Sequence, residues 1–461
     1  MRRSLAYVLI VIVIFSSLAA VSIMVYSNSN KEFYVGVTYC GDSVDEAKQL
    51  IDKVKDYTNL FILDSGSLQT SGAAINETGD YAVAAGLNFM VYQGINSGAF
   101  GYWLPTYDGR WGNHFLGVYA IDEPGGKMLD GQINLSTPES PIFIIKQSDG
   151  SLSGYKIDDH NSVTYMRNGS VQVQPGISEP YYSITYNPNG TLIGTKYEFK
   201  EDGIKFTDTP LPKTYTLEYT YDELWAAYPI KNAGIAKQYY LSPLSDQINS
   251  SRQQYNSTLN IITADYGLYW YDYLSGYDCV LAQLGWNQTT NQDIALVRGA
   301  ANAQGKDWGT IITWKYNHAP YLDSGDEIYD QMRLSYEGGA KYVAIFNYAP
   351  DMTGPYGTLQ DEHFDALQRF WNDVKDGNIK QGEVKADTAF VLPPNYGSGL
   401  RNPEDIIWGL WTANETDSQI WQHMQDALSV YGEKLDIVYE DSAYPVAGKY
   451  SQVIYWNQTG S

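Results

Sequence analysis

Eight short apolar runs, separated by amphipathic helical segments, constrain this fold more than any other feature of the sequence. They cover residues 33–40, 59–64, 88–94, 115–122, 259–265, 278–286, 308–314 and 341–347. The runs are almost continuously apolar, as in parallel strands that are covered by helices on both faces. The alternation therefore predicts an α/β fold with a (β/α)8 TIM barrel. An open doubly wound sheet is the rival architecture, but no Gly-x-Gly-x-x-Gly motif follows the first run.

After the fourth run the pattern changes to one that is typical of β-hairpins. We predict an antiparallel β insertion over residues 141–218, standing over the barrel mouth as a lid, a substrate wall or a sugar-binding annex. Helical segments at 221–227 and 241–255 then resume the alternation. Four turn dipeptides mark the hairpins: Asp149-Gly150, Asn168-Gly169, Asn189-Gly190 and Asp202-Gly203.

The insertion and a C-terminal tail divide the chain into predicted segments. The barrel occupies residues 31–140 and 219–376, on either side of the insertion. Residues 377–461 contain three strand-like runs around one helix, which predicts a small α/β domain. The Trp-rich stretch 401–411 in this domain is interpreted as a packing loop between domains.

The N-terminus predicts a transmembrane signal anchor over residues 1–30. Leu5 through Tyr26 carries no charge and is long enough to cross a bilayer. Two arginines precede this segment and favour a cytoplasmic N-terminus, which places the bulk of the chain outside the cell membrane. A cleaved signal peptide is the alternative, because Ser16–Ala20 supplies small residues, and the chain would then be secreted.

Composition agrees with a surface glycoprotein and disfavours nucleic-acid binding. The formal net charge is -23, whereas nucleic-acid binding needs clustered Lys and Arg. Cys40 and Cys279 allow one disulfide, and no histidine or cysteine spacing is typical of a zinc site, so we expect no metal or other cofactor. Glycosylation sequons begin at Asn76, Asn134, Asn168, Asn189, Asn249, Asn256, Asn287, Asn414 and Asn457.

Side chains at the carboxyl ends of the strands form the active site in barrels of this kind. Four carboxylates hold such positions: Asp122 and Glu123 after strand four, Asp64 after strand two and Asp265 after strand five. Carboxylates beside amides and aromatic rings suit the binding of a neutral polyol and the cleavage of its acetal. The candidate substrate-binding residues are Gln93, Gln283, Trp286, Trp314, Lys315, Tyr316, Asn347 and Tyr348.

Each of these residues also has a structural interpretation. The run from Asp122 to Gly126 is equally typical of a solvated turn. Asp265 is as compatible with a capping or salt-bridge role as with catalysis. The two tryptophans, Trp286 and Trp314, are compatible with packing at the rim, and Lys315 with neutralising a carboxylate.

The eight strands, the carboxylate after strand four and the trailing α/β domain resemble the TIM-barrel glycoside hydrolases. The resemblance covers roughly residues 33–375, and the tail is loosely similar to the amidotransferase-like domain of beta-galactosidase relatives. It implies that Glu123 is the acid/base, with Asp265, or next Asp64, as second carboxylate and Asp122 orienting Glu123. The largest clan differs, since it carries Asn-Glu at strand four and a nucleophilic Glu at strand seven, where this chain has Trp314, Lys315 and Tyr316.

Two functions remain open from the sequence. The first is a membrane-anchored extracytoplasmic glycoside hydrolase with a carbohydrate substrate. The second is a non-catalytic surface glycoprotein that binds glycans or forms part of the cell envelope. A cleft open to substrate favours the first, whereas carboxylates paired with Lys315 or Arg298 in a filled barrel favour the second.

Overall fold

The computed structural model contains a closed barrel of eight parallel strands, which confirms the predicted (β/α)8 fold. It describes residues 32–94, 100–131, 233–254, 258–286, 288–350 and 353–458, and the backbone of the strands named below between residues 142 and 219. The order around the barrel is β1-β16-β15-β14-β13-β4-β3-β2. The strands are β1 (Tyr34–Tyr39), β2 (Leu60–Leu63), β3 (Asn88–Tyr92), β4 (Phe115–Tyr119), β13 (Ile261–Asp265), β14 (Cys279–Leu284), β15 (Asp307–Ile312) and β16 (Tyr342–Ile345).

Most barrel strands end before the predicted run does. β4 ends at Tyr119, so Asp122 and Glu123 lie in the loop that follows it. Asp64 likewise lies one residue past the end of β2. Asp64, Asp122 and Glu123 are therefore held by loops at the carboxyl face of the barrel rather than by the strand ladder itself.

Amphipathic helices cover the outside of the barrel. Ser43 caps the first of them, since its side chain accepts a hydrogen bond from the Glu46 amide at 3.4 Å. The first helix buries Ala47, Leu50 and Ile51 against the strands, as its periodicity predicts. The helices around the barrel are Val44–Val54, Gly72–Ala84, Phe100–Trp103, Tyr107–Trp111, Pro124–Leu129, Ala233–Gln254, Tyr269–Ser275, Thr290–Gln304, Gly325–Glu337 and Asp361–Asp376.

Apolar side chains fill the interior of the barrel below the carboxyl ends of its strands, so this interior is a packed core and not a channel. Leu60, Met90 and Leu281 belong to this inner cluster and are at most 1% exposed. Cys279 lies in the same cluster, and both it and Cys40 are free thiols, so the possible disulfide is not formed. The space left for a ligand is consequently at the carboxyl ends of the strands.

Residues 142–219 contribute eight strands that are not part of the barrel. Six of them form one sheet in the order β11-β10-β9-β6-β5-β12, and β7 pairs with β8. The strands that flank each predicted turn dipeptide pair antiparallel, while the dipeptides Asp149-Gly150, Asn168-Gly169 and Asn189-Gly190 lie outside the described residues. The strands are β5 (Ile142–Lys146), β6 (Leu152–Lys156), β7 (Ser162–Tyr165), β8 (Val171–Gln174), β9 (Tyr181–Tyr186), β10 (Leu192–Lys200), β11 (Gly203–Pro210) and β12 (Glu218–Tyr219).

The C-terminal residues form a three-stranded parallel sheet with one long helix. The strands β17 (Thr388–Leu392), β18 (Leu435–Tyr439) and β19 (Gln452–Tyr455) are ordered β18-β17-β19, and the helix is Glu415–Tyr431. A buried ion pair between Arg298 of the barrel and Asp436 of β18, 2.7 Å apart, joins this sheet to the barrel.

The proposed signal anchor at residues 1–30 and the helical segment predicted at 221–227 lie outside the described residues. Within the part of the chain that is described, no helix has the length and apolar character needed to span a bilayer.

Candidate active site

A cavity of about 300 Å³ opens at the carboxyl ends of the barrel strands. Three of the four predicted carboxylates, Asp64, Asp122 and Glu123, line it together, and so do Gln283 and Tyr348. Its other walls come from Cys40, Gly66, Tyr92, Tyr119, Ile311, Thr313 and Phe346. The structure thus brings together acids from β2 and β4 with an amide from β14, across an opening large enough for part of a sugar chain.

The turn that presents Glu123 has a strained backbone. Ile121 and Glu123 both adopt positive φ, at 56° and 55°, a conformation that non-glycine residues seldom take. Surrounding hydrogen bonds hold it: the Glu123 amide donates to Ala264 O at 2.9 Å, and the Thr263 hydroxyl donates to Ile121 O at 2.7 Å. Pro124 then begins the next helix with its fixed φ. The position of Glu123 is therefore set by β13, the neighbouring strand.

Glu123 and Asp122 each have hydrogen-bond or ion-pair partners at the cavity. Gln283 Nε2 donates to Glu123 Oε1 at 2.7 Å. Lys127 Nζ lies 3.6 Å from Glu123 Oε2 and 3.4 Å from Asp122 Oδ2. The Tyr119 hydroxyl donates to Asp122 Oδ1. Lys127 is thus the cation that balances this pair.

Burial has the largest effect on the pKa of Asp64. Burial, reinforced by the charges of Asp122 and Glu123, raises its pKa to about 8, and the Cys40 thiol offsets only part of that rise. Burial and Asp122 also raise the pKa of Glu123, but Gln283 and Lys127 oppose the rise there. Burial therefore dominates at Asp64, whereas a hydrogen bond from Gln283 and the nearby Lys127 partly offset its effect at Glu123.

We expect the raised pKa of Asp64 to reduce stability as the pH increases. Below pH 4 the carboxyl is protonated in both the folded and the unfolded chain, and between about pH 4 and 8 only the folded chain keeps the proton, so the free energy of unfolding falls across that window. Asp64→Asn should remove this loss and gain about 1 to 3 kcal/mol at pH 8, with little effect at pH 4. Urea unfolding at the two pH values measures the difference, and an equal effect at both would contradict it.

Asp265 does not line the cavity, which corrects its prediction as the second catalytic carboxylate. It is fully buried, and its oxygens accept backbone N–H groups of Gly125, Gly126, Tyr266 and Gly267. Burial raises its pKa to about 7, although the amides of Gly125, Gly126 and Tyr266 oppose the rise. The capping role that the sequence left open is the one that the structure shows.

Three aromatic rings form a cluster at the mouth of the cavity. Trp314 lies parallel to Tyr348, with interplanar angle 8° and centroids 6.2 Å apart, and Trp286 lies 6.1 Å from Trp314. Trp314 Nε1 donates to Tyr348 O at 2.6 Å, which fixes the two loops together. Trp286 is 43% exposed and Tyr348 39%, so two of the rings present faces to solvent. Such exposed rings are suited to stacking on a sugar.

Four other predicted substrate residues do not line the cavity. Gln93 is buried behind the cavity wall and accepts a hydrogen bond from Trp103 Nε1 at 3.1 Å. Asn347 is fully buried, and its side chain accepts from the Thr358 amide at 2.8 Å. Lys315 pairs with Asp323 at 3.4 Å, so it does not neutralise a cavity carboxylate. Tyr316 is exposed and is not part of the cavity lining.

The sequence interpretation missed two residues that act on the acids. Lys127 follows Glu123 by four positions across the start of a helix, a spacing that brings side chains together, so this pair was open to prediction. Tyr119 carries the hydroxyl that binds Asp122, but its run of apolar neighbours indicated only a core position.

A loop from the C-terminal sheet packs against the helix that follows Glu123. Arg401 donates to Asp130 Oδ1 at 2.6 Å, directly after the helix Pro124–Leu129. At Gly409 an added Cβ would collide with Met128 O, so the two backbones are in close contact. The packing role predicted for residues 401–411 is thus observed, and its partner is the helix behind the site.

Within the described ranges, no group of three or more His, Cys, Asp or Glu side chains is arranged to hold a metal ion.

No family model and no curated protein matches this chain. Among solved structures, a GH5_18 variant from Bifidobacterium longum subsp. longum ATCC 55813, in complex with Manb1-4GlcNAc, aligns at 9% identity over 93% of this chain and 97% of its own, with a TM-score of 0.38. A HpcH/Hpal aldolase/citrate lyase family protein from Burkholderia cenocepacia J2315 aligns at 9% identity over 77% and 99%, with a TM-score of 0.27. Neither alignment bears on the chemistry, which rests on the residues of the cavity.

Proposed function

We propose that this protein is a glycoside hydrolase that cleaves an O-glycosidic bond of a carbohydrate in the cavity at the barrel mouth. One observation carries the proposal: Asp64 and Glu123 line the same cavity, where burial raises the pKa of Asp64 to about 8 and Glu123 accepts a hydrogen bond from Gln283 beside Lys127. Glycoside cleavage needs one carboxyl as a proton donor and another as a carboxylate. Neither Lys315 nor Arg298 pairs with these acids, since their partners are Asp323 and Asp436.

The roles in this proposal differ from those that the family resemblance implies. Asp64, with a pKa of about 8, donates the proton to the leaving oxygen. Glu123, held by Gln283 and Lys127, acts as the carboxylate that attacks the anomeric carbon or activates water. Asp122 accepts a hydrogen bond from the Tyr119 hydroxyl and places a second carboxyl group beside Glu123. The exposed rings of Trp286 and Tyr348 stack on a sugar beside the cavity.

The proposed location is outside the cell, anchored by the N-terminal apolar segment and decorated with glycans at the sequons. This part of the proposal rests on the uncharged run Leu5 to Tyr26 behind two arginines and on the nine sequons named above.

A panel of 4-nitrophenyl glycosides that differ in sugar and anomer tests the activity. We expect the wild-type protein to hydrolyse at least one of them, with a rate that falls as the pH rises through about 8 because Asp64 loses its proton. Glycan binding without any turnover would favour the non-catalytic surface glycoprotein instead.

The leaving group distinguishes the proton donor from the other acid. Asp64→Asn should lower kcat about 10² to 10⁴-fold on a sugar leaving group, but far less on the 2,4-dinitrophenyl glycoside, whose leaving group needs no proton. The alkaline fall in rate should disappear in the same variant. A loss that is equal on both substrates would contradict the role of Asp64.

A further inference from the structure

Behind the cavity, two buried carboxyl side chains contact each other at the base of the turn that presents Glu123. Asp265 ends β13, and Asp272 lies in the helix Tyr269–Ser275. Both are fully buried, and the two side chains are within hydrogen-bonding contact. Two buried carboxylates in contact repel each other, so such a pair retains a proton.

Hydrogen bonds on each side identify which carboxyl holds that proton. Asp265 Oδ1 accepts from the amides of Gly126 at 2.8 Å and Tyr266 at 2.7 Å, while Oδ2 accepts from Gly125. A carboxyl that receives this many N–H donors is stabilised as the anion. Asp272 accepts only from the Tyr240 hydroxyl at Oδ1, and no donor among the described residues reaches its Oδ2.

We propose that Asp272 is the protonated member of this pair, and that its donation to Asp265 holds the turn from Ile121 to Gly126 in the conformation that positions Glu123. The proton accounts for the otherwise unpartnered Asp272 Oδ2. Both aspartates are positioning residues, since neither lines the cavity. The inference rests on the proposed role of Glu123.

The two glycines that follow Pro124 fit this arrangement. A Cβ at Gly125 would collide with Gly267 O and approach Asp265 Oδ2 to 2.8 Å. A Cβ at Gly126 would collide with the Tyr266 ring. The sequence Asp-Glu-Pro-Gly-Gly thus places Glu123 beside two glycines whose amides approach the buried aspartate closely because they carry no side chain.

Most of the titratable groups around the pair are tyrosines. Burial, then the neighbouring Asp265, raises the pKa of Asp272 well above its usual value. The phenols around it have raised pKa values as well and stay neutral in the same range. The titratable groups that interact with the pair are Tyr240, Tyr269, Tyr273, Tyr277, Glu123 and, through Tyr269, Asp293.

Two isosteric variants give opposite expected results. In Asp272→Asn the amide nitrogen can donate to Asp265 and the amide oxygen can accept from Tyr240, so kcat should stay within about threefold of wild type. In Asp265→Asn the amide nitrogen must point at backbone N–H donors, so the turn moves and kcat should fall about 10²-fold with little change in KM. A 4-nitrophenyl glycoside that the wild-type protein hydrolyses is the probe.

Hydrogen exchange at the Gly125 and Gly126 amides tests the pair without any activity. Asp265→Asn should accelerate exchange about 10- to 100-fold, whereas Asp272→Asn should not. At alkaline pH, wild type should lose protection at these amides and Asp272→Asn should keep it. Unchanged exchange in Asp265→Asn, or an equal loss of amide protection in both variants, would overturn the inference. If the expected exchange pattern is seen but no glycoside is hydrolysed, only the proposed function is overturned.

Discussion

Glu123→Gln should lower kcat on the best aryl glycoside substrate by about 10³-fold or more, with KM changed by less than about threefold. The amide keeps the shape of the side chain and can still bond to Gln283, but it can neither attack the anomeric carbon nor accept a proton from water. The loss should be as large with a 2,4-dinitrophenyl leaving group as with a sugar, because the missing group is not the proton donor.

Steady-state kinetics on both substrates measures this effect. Glu383→Gln, which changes an exposed glutamate outside the cavity, serves as the matched control and should leave kcat unaltered. If Glu123→Gln retained more than about a tenth of wild-type kcat, Glu123 would have no direct part in the reaction.

Arg298→Met should cost about 3 to 5 kcal/mol of the free energy of unfolding. Arg298 and Asp436 are 3% and 1% exposed, so removing the guanidinium leaves a buried carboxylate without its counter-charge. The arginine also donates to Glu433 O at 2.8 Å and Leu435 O at 2.9 Å, and these carbonyls would lose their donor. The effect should appear first as unfolding of the C-terminal sheet, because Asp436 belongs to β18.

Denaturant unfolding followed by tryptophan fluorescence measures the loss, and two further variants separate its causes. Arg298→Met combined with Asp436→Leu should recover most of it, since an apolar pair replaces the ion pair without leaving a charge. Tyr450→Phe, which removes one hydrogen bond to Asp436 at 2.8 Å, should cost only about 1 kcal/mol. A loss below about 1 kcal/mol in Arg298→Met alone would contradict the prediction that Asp436 depends on Arg298 as its counter-charge.

The barrel was predictable because its signal is repeated. An apolar run followed by a helical segment is typical of one βα unit, and eight such runs are compatible with few architectures besides the (β/α)8 barrel. The strand ends were less predictable, because a loop residue such as Ile121 is as apolar as the strand that precedes it. Its positive φ depends on hydrogen bonds from another strand, which no local pattern reveals.

The site was predictable in position and only partly in detail. Asp64 and Glu123 were identified because carboxylates at strand ends converge in any parallel barrel. Asp265 met the same rule, but its side chain turns away from the cavity toward the backbone amides of Gly125 and Gly126. The direction of a side chain and the pKa of a carboxyl group both depend on contacts between distant parts of the chain, such as the hydrogen bond from Gln283 to Glu123.

The contact between the tail and the helix behind Glu123 has a practical consequence. Residues 401–411 are in contact with that helix through Arg401 and Gly409, although the barrel strands are complete at Ile345. A shortened chain that stops after the last barrel helix would keep every cavity residue and still lack the outer support of its key acid. Expression designs that trim this protein for crystallography or display should therefore retain the tail, which packs against the helix behind Glu123.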